Sequence, residues 1–251
     1  MKLKRLVKLK EIKTYYCEAA DGEIGSLEDI YFDDSCLAVQ FVIVHSKLRL
    51  AGRKVLISPF TIGKIDEKNQ LVYVELALQQ IKNSPPLDTD QPISRQYEEK
   101  YFQYYGWPPY WDRLSWPNTS PLKSSTVIAL NRIQEVSTRP ENHLHEASQI
   151  LNFGVVSTEG KIGWLNDLII DTHYWVIRYL EIDTRKWLHS KDFALITPTT
   201  IASINWPENR ICVDLDREAL QKAPPYDANA PISRQYESQI LKHYSEKIYW
   251  K

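Results

Sequence analysis

The 251-residue chain has almost no net charge, since 31 Lys and Arg stand against 32 Asp and Glu and leave −1. It therefore has no global field to gather nucleic acid or anionic lipid. It also lacks any apolar run near the roughly 18 to 20 residues that cross a bilayer. Three cysteines, Cys17, Cys36 and Cys212, are too few and too scattered for a disulfide framework or a zinc site. No Gly-rich phosphate loop, nucleophile elbow or His-Glu helix motif occurs, which removes the commonest sequence signs of nucleotide binding, acyl transfer and zinc hydrolysis. The secretory pattern of charges, apolar core and small-residue cleavage site is missing too. The leading segment is basic, with Lys2, Lys4, Arg5, Lys8, Lys10 and Lys13 against Glu11, but Leu3, Leu6, Val7 and Leu9 interrupt those charges. It reads as a solvated leader, with a weak membrane-surface contact as the alternative, and the protein reads as cytoplasmic.

What is present is the balance of a globular protein, 43% hydrophobic and 25% charged, and above all a duplication. Asp21-Gly-Glu-Ile-Gly25 returns as Glu159-Gly-Lys-Ile-Gly163, 138 residues later. The offset holds through Asp29 and Asp167, Asp33 and Asp171, Phe41 and Tyr179, and Val44 and Ile182. One inserted residue makes it 139, which aligns Pro59 with Pro198, Val74 with Val213, and Pro85-Pro86 with Pro224-Pro225. Pro92-Ile-Ser-Arg-Gln-Tyr-Glu98 is identical to residues 231–237, and Tyr110-Trp111 recurs as Tyr249-Trp250. A unit of about 100 residues is longer than a solenoid repeat and large enough to hold its own core. The expected organisation is residues 1–111 as the first copy with its tail, 112–126 as a Pro/Ser-rich linker, and 127–251 as the second copy with its tail. The linker includes a glycosylation sequon at Asn118, which carries no weight without a secretory signal.

Within one copy, Ile12 to Ala19 leads into Asp21-Gly22, a dipeptide able to supply the positive φ angles of a tight primed turn. Strands are expected over Ile24 to Asp33, Ala38 to His45, Val55 to Ser58 and Leu71 to Leu76. Gly25 marks a bulge or close backbone approach. The second copy repeats the third strand as 175–182, with polar breaks at Arg178 and Glu181. Short strands at this spacing suggest a mainly β fold of two small antiparallel barrels or sandwiches, and barrels are preferred because closure hides the sheet edges. The tails differ in period: Ile93, Tyr97, Tyr101 and Tyr105, like Ile232, Tyr236, Ile240 and Tyr244, follow i, i+4, i+8 and i+12. That is one face of a helix, with Ser94 or Ser233 as N-cap and Glu98 or Glu237 in the first turn.

These repeated residues resemble the PRC-barrel family, named for the photosynthetic reaction centre H subunit and related to the C-terminal domain of the ribosome maturation factor RimM. The resemblance rests on Asp-Gly-Glu-Ile-Gly at 21–25 with Asp29 and Asp33-Asp34. In the second copy it rests on Gly160 to Gly163, Asp167, Asp171, 175–180, Asp183-Thr184 and Trp187-Leu188. It implies a small β-barrel serving as an assembly or interaction module, and it implies no shared catalytic residue. Neither the membrane helix of the H subunit nor a RimM-like N-terminal domain is expected from this sequence.

The acidic residues Asp21, Glu23, Glu28, Asp29, Asp33 and Asp34 lack calcium-loop spacing, so they are read as turn chemistry. Six histidines (45, 143, 145, 173, 189, 243) have no counterpart between copies, and His143 with His145 reads as a surface pair. Eight Trp and fifteen Tyr are assigned to core and tail packing, then to protein interfaces, where Tyr, Trp and Arg are enriched. The interface candidates are Arg95, Tyr97, Tyr101, Trp111, Arg234, Tyr236 and Trp250. No catalytic, cofactor-binding or metal residue is assigned. The expected role is a non-enzymatic interaction or assembly module that binds an unknown protein or itself and no nucleic acid. The alternative is a photosynthesis-associated electron-transfer accessory resembling the H subunit.

Overall fold

The computed structural model describes residues 6–47, 53–87, 93–109, 111, 143–187 and 192–250. The expected linker and the Asn118 sequon lie outside them. Strands run β1 (Leu6–Lys8), β2 (Tyr16–Ala19), β3 (Gly22–Asp33), β4 (Val39–Ser46), β5 (Lys54–Ile57), β6 (Ile62–Asp66) and β7 (Leu71–Val74). They continue as β8 (Leu144–Glu146), β9 (Gly154–Ser157), β10 (Gly160–Asp171), β11 (Val176–Asp183), β12 (Phe193–Ile196), β13 (Ile201–Asn205) and β14 (Arg210–Val213). Short helices are α1 (Leu9–Ile12), α2 (Leu78–Lys82), α3 (Arg95–Tyr105), α4 (Arg217–Lys222) and α5 (Arg234–His243).

Packing divides the chain into two compact units, 11–147 and 1–10 with 148–251, called here the first-repeat and second-repeat units. Each holds one seven-stranded sheet: β5-β4-β3-β2-β7-β6 with β8 on β3, and β12-β11-β10-β9-β14-β13 with β1 on β10. The pairs β2–β7 and β9–β14 are parallel and the others antiparallel, so both sheets are mixed. Neither closes into the expected antiparallel barrel. The two outer strands, β5 and β6, are consecutive in sequence but are joined by a 3₁₀ turn at Pro59–Thr61. Proline cannot donate a ladder hydrogen bond, and the chain turns away there without forming a hairpin. Pro198–Thr200 repeats this between β12 and β13.

The hairpin before β3 is present but built differently from the expectation. Ala19 faces Gly22, so the two loop residues are Ala20 and Asp21, and neither has positive φ. Asp21 instead accepts the backbone N–H of Leu78 at 2.7 Å and pins the start of α2. Glu159 does the same for Arg217 at 3.1 Å and α4. Gly25 is needed for close approach, since a Cβ there would lie 1.9 Å from the His45 carbonyl oxygen. Both long strands carry a bulge beside an aspartate, Asp29 in β3 and Asp167 in β10. Each carboxylate accepts the following N–H, from Ile30 at 2.9 Å and from Leu168 at 2.8 Å.

The tail helices lie on their own sheets. Ser94 accepts the Tyr97 N–H and Ser233 the Tyr236 N–H, so both N-caps sit where the sequence places them. Gly106, at φ 68°, ends α3 in the left-handed conformation that glycine adopts without penalty. Ile93, Tyr101 and Phe102 bury against Tyr31, Phe41, Ile43, Leu56 and Leu144 in the first-repeat unit. Ile240 buries against Leu6, Ile169, Tyr179 and Leu195 in the second. An amphipathic stripe that is marginal as an isolated helix thus gains its stability from the sheet beneath it.

Candidate functional site

At the base of each tail helix the repeated motif builds the same group of side chains. In the second-repeat unit Ser233 starts α5, which places Glu237 one turn in and facing the sheet. Glu237 is buried, and its carboxylate accepts hydrogen bonds from the Tyr179 hydroxyl at 3.1 Å and from the Tyr249 hydroxyl. Arg234 donates to its other oxygen at 2.7 Å. The Arg234 guanidinium then lies over Trp250, 4.3 Å from the ring centre. Arg178 stacks on Tyr249 at 3.8 Å and reaches Asp171 at 3.3 Å. Burial, followed by the neighbouring Glu237 charge, holds the Tyr179 hydroxyl well above the ordinary phenol range.

The first-repeat unit keeps the buried glutamate, the arginine and the tryptophan but changes the partners on the sheet, with Gln40 in place of Arg178 and Phe41 in place of Tyr179. Glu98 is fully buried and meets Arg95 at 3.4 Å, and Arg95 lies 4.0 Å over Trp111. Phe41 occupies the position of Tyr179 and has no hydroxyl to give. His143 Nε2 approaches Glu98 at 3.6 Å. His143 is 2% exposed, so the expectation of a surface pair is corrected for this residue. It is drawn inward because a buried carboxylate needs polar company. His145 stands 3.1 Å from Asp34.

The other interface candidates serve first to fasten the helices. Tyr97 donates to the Pro85 carbonyl at 3.0 Å and Tyr236 to Pro224 at 3.2 Å, so the repeated Pro-Pro pairs are clasped alike. Tyr101 is buried, donating to the Leu56 carbonyl and accepting the Ser58 N–H, both at 3.1 Å. Tyr104 and His243, at equivalent positions, bond the carbonyls of Gln80 and Ala219. The arginines and tryptophans at the helix base remain partly open to solvent: Arg95 and Trp111 in one unit, Arg234 and Trp250 in the other.

A second polar group went unassigned in the sequence. Glu181, on β11, is fully buried, with Lys8 at 2.5 Å, the Tyr226 hydroxyl at 2.6 Å and the Asn166 amide on its carboxylate. Directly across the ladder is Asp167, whose carboxyl burial pushes up to about 6 despite N–H donors from Leu168 and Lys10. The only signal for it in the sequence is the polar break at Glu181 within an apolar strand. Lys8 therefore sits on a paired strand against a buried acid, which corrects the solvated reading for that residue, while Lys10 is exposed; residues 1–5 lie outside those described.

Cys17 is buried and Cys36 and Cys212 half-buried, and none of the three is in a disulfide. Among the described residues no three His, Cys, Asp or Glu side chains gather as a metal cage, and no helix is long and apolar enough to cross a membrane. A shallow recess of about 470 Å³ in the first-repeat unit has Glu18, Lys64, Tyr73 and Glu75 in its lining. Fold and surface together define a tandem repeat of two similar small β-sheet units, each followed by helices. No family model matches the chain, and no curated protein matches it.

Proposed function

We propose that the protein is a non-enzymatic interaction or assembly module of the cytoplasm, built from two PRC-barrel-like domains, that binds a protein partner through the bases of its tail helices. The observation behind this reading is the repeated Arg–Trp stack, Arg95 on Trp111 and Arg234 on Trp250, each anchored by a buried glutamate. Arginine and tryptophan dominate binding energy at protein interfaces, and a guanidinium already held over an indole loses little freedom on binding. Two equal patches on one chain suit a partner that offers two equal epitopes, for which linked binding raises avidity.

The test is affinity purification from the native host, comparing the natural chain with Arg95→Lys/Arg234→Lys. Lysine keeps a positive charge near each glutamate but loses the planar stack. A specific partner should be retained at least tenfold less by the variant while its melting temperature stays within a few degrees. Equal retention, or no partner above background with the natural chain, would remove the reading.

A further inference from the structure

Each sheet is completed by the strand that precedes the other repeat in sequence. β1 precedes the first repeat and pairs with β10, Leu6 opposite Asp171 and Lys8 opposite Ile169. β8 precedes the second repeat and pairs with β3, Leu144 opposite Asp33 and Glu146 opposite Tyr31. The registers are equivalent, because Leu6, Val7 and Lys8 correspond to Leu144, His145 and Glu146 at the 138-residue offset. The reverse pairing, each strand on its own repeat, is within reach. Residues 9–15 between β1 and β2 can span about 23 Å when extended. That covers the roughly 17 Å along β3 from Ser26, which faces Tyr16, to Tyr31. Chain length therefore does not choose between the two arrangements, and backbone ladders are the same in both.

We propose that a side-chain code at three positions sorts the two strands, directing β1 to the second-repeat sheet and β8 to the first. The first position is Lys8 against Glu146. Lys8 meets the buried Glu181, whereas Glu146 accepts the Tyr31 hydroxyl at 2.9 Å. On its own repeat Lys8 would face Ile43 where Glu181 now stands, and Glu146 would lie beside Glu181. A second, half-buried carboxylate beside a fully buried one, with no cation between them, is disfavoured. The second position is Val7 against His145. His145 stands by Asp34, and the equivalent of Asp34 in the other repeat is Thr172, which offers no carboxylate to the imidazole. The third is His143, which joins Glu98 where Phe41 offers no hydroxyl. On the other sheet Glu237 already accepts from Tyr179 and Tyr249. Each sheet thus welcomes one strand and rejects the other, the pattern of a specificity built partly on repulsion. The strand slot of the second-repeat sheet is, in these terms, a docking site for a short apolar strand ending in lysine.

The experiment uses the full chain with Cys36 and Cys212 replaced by Ser. Val7→Cys/Ile170→Cys reports the exchanged pairing, and Val7→Cys/Phe32→Cys the reverse. With native charges, the first pair should oxidise at least tenfold more than the second, within one chain or between two. After Lys8→Glu/Glu146→Lys, the ratio should shift towards the second pair by at least tenfold. Comparable yields with native charges, or a ratio untouched by the charge reversal, would overturn the proposal. If the reversed chain does not fold, Lys8→Met alone decides. It should raise amide exchange across Leu6–Lys8 about tenfold, and no change in that exchange would overturn the proposal.

Discussion

The carboxyl group of Asp167 and the hydroxyl of Tyr101 show what single buried polar atoms do here. Asp167 keeps its proton up to about pH 6 in the folded chain because burial disfavours its charge, whereas an unfolded aspartate loses it near 3.9. The protonated form therefore favours the fold. Its contribution is complete below about pH 4 and is lost as pH rises through 6, a change of about 3 kcal/mol for a shift of two pH units. Denaturant midpoints from pH 4 to 7.5 should fall for the natural chain and stay flatter for Asp167→Asn; parallel curves would contradict this assignment. Tyr101 has the opposite character, neutral and fully satisfied by Leu56 and Ser58. Tyr101→Phe leaves the buried Ser58 N–H without that acceptor and should cost about 1–3 kcal/mol in denaturant titration.

At the scale of elements, the glycines of the strands are of two kinds. A Cβ on Gly25 would collide with the His45 backbone, and one on Gly163 would fall 2.5 Å from Ile182 and 2.6 Å from the Asp183 carbonyl. Backbone cannot yield as a flexible side chain can. A Cβ on Gly154, by contrast, meets only the end of Lys161 at 3.1 Å. Thermal melts should place Gly25→Ala among the severe substitutions, beyond about 4 kcal/mol, and Gly154→Ala within about 1 kcal/mol. The hairpin, its bulge and the capped tail helices were all legible as local patterns, because turn, cap and period each depend on a few neighbouring residues. The primed Asp-Gly turn did not form: the loop residues are Ala20 and Asp21, neither with positive φ, and the acid instead holds the N-terminus of α2, 57 positions away.

For the molecule as a whole, the exchange of β1 and β8 makes the sequence boundary between repeats different from the packing boundary. Residues 1–10 belong with 148–251. Deleting residues 1–8 should therefore injure the sheet of the repeat farther along the chain. Hydrogen exchange should show Ile169–Asp171 losing protection by tenfold or more while Tyr31–Asp33, covered by β8, keep theirs. Equal loss in both segments would show that the truncation acts through general unfolding instead.

The sequence by itself determined the duplication, the run of short strands, the helical tails with their serine caps, and the residue types gathered at the tail bases. These follow from periodicity and from residues close in the chain. Only the tertiary structure decided that the sheets are mixed and open, that Glu181 and Asp167 face each other in the interior, that His143 turns inward to Glu98, and that three-residue strands cross between repeats. A strand of three residues has no period to read. The free energy that places it comes from ladder bonds and buried charges contributed by residues more than a hundred positions away, and these meet only once the chain has folded.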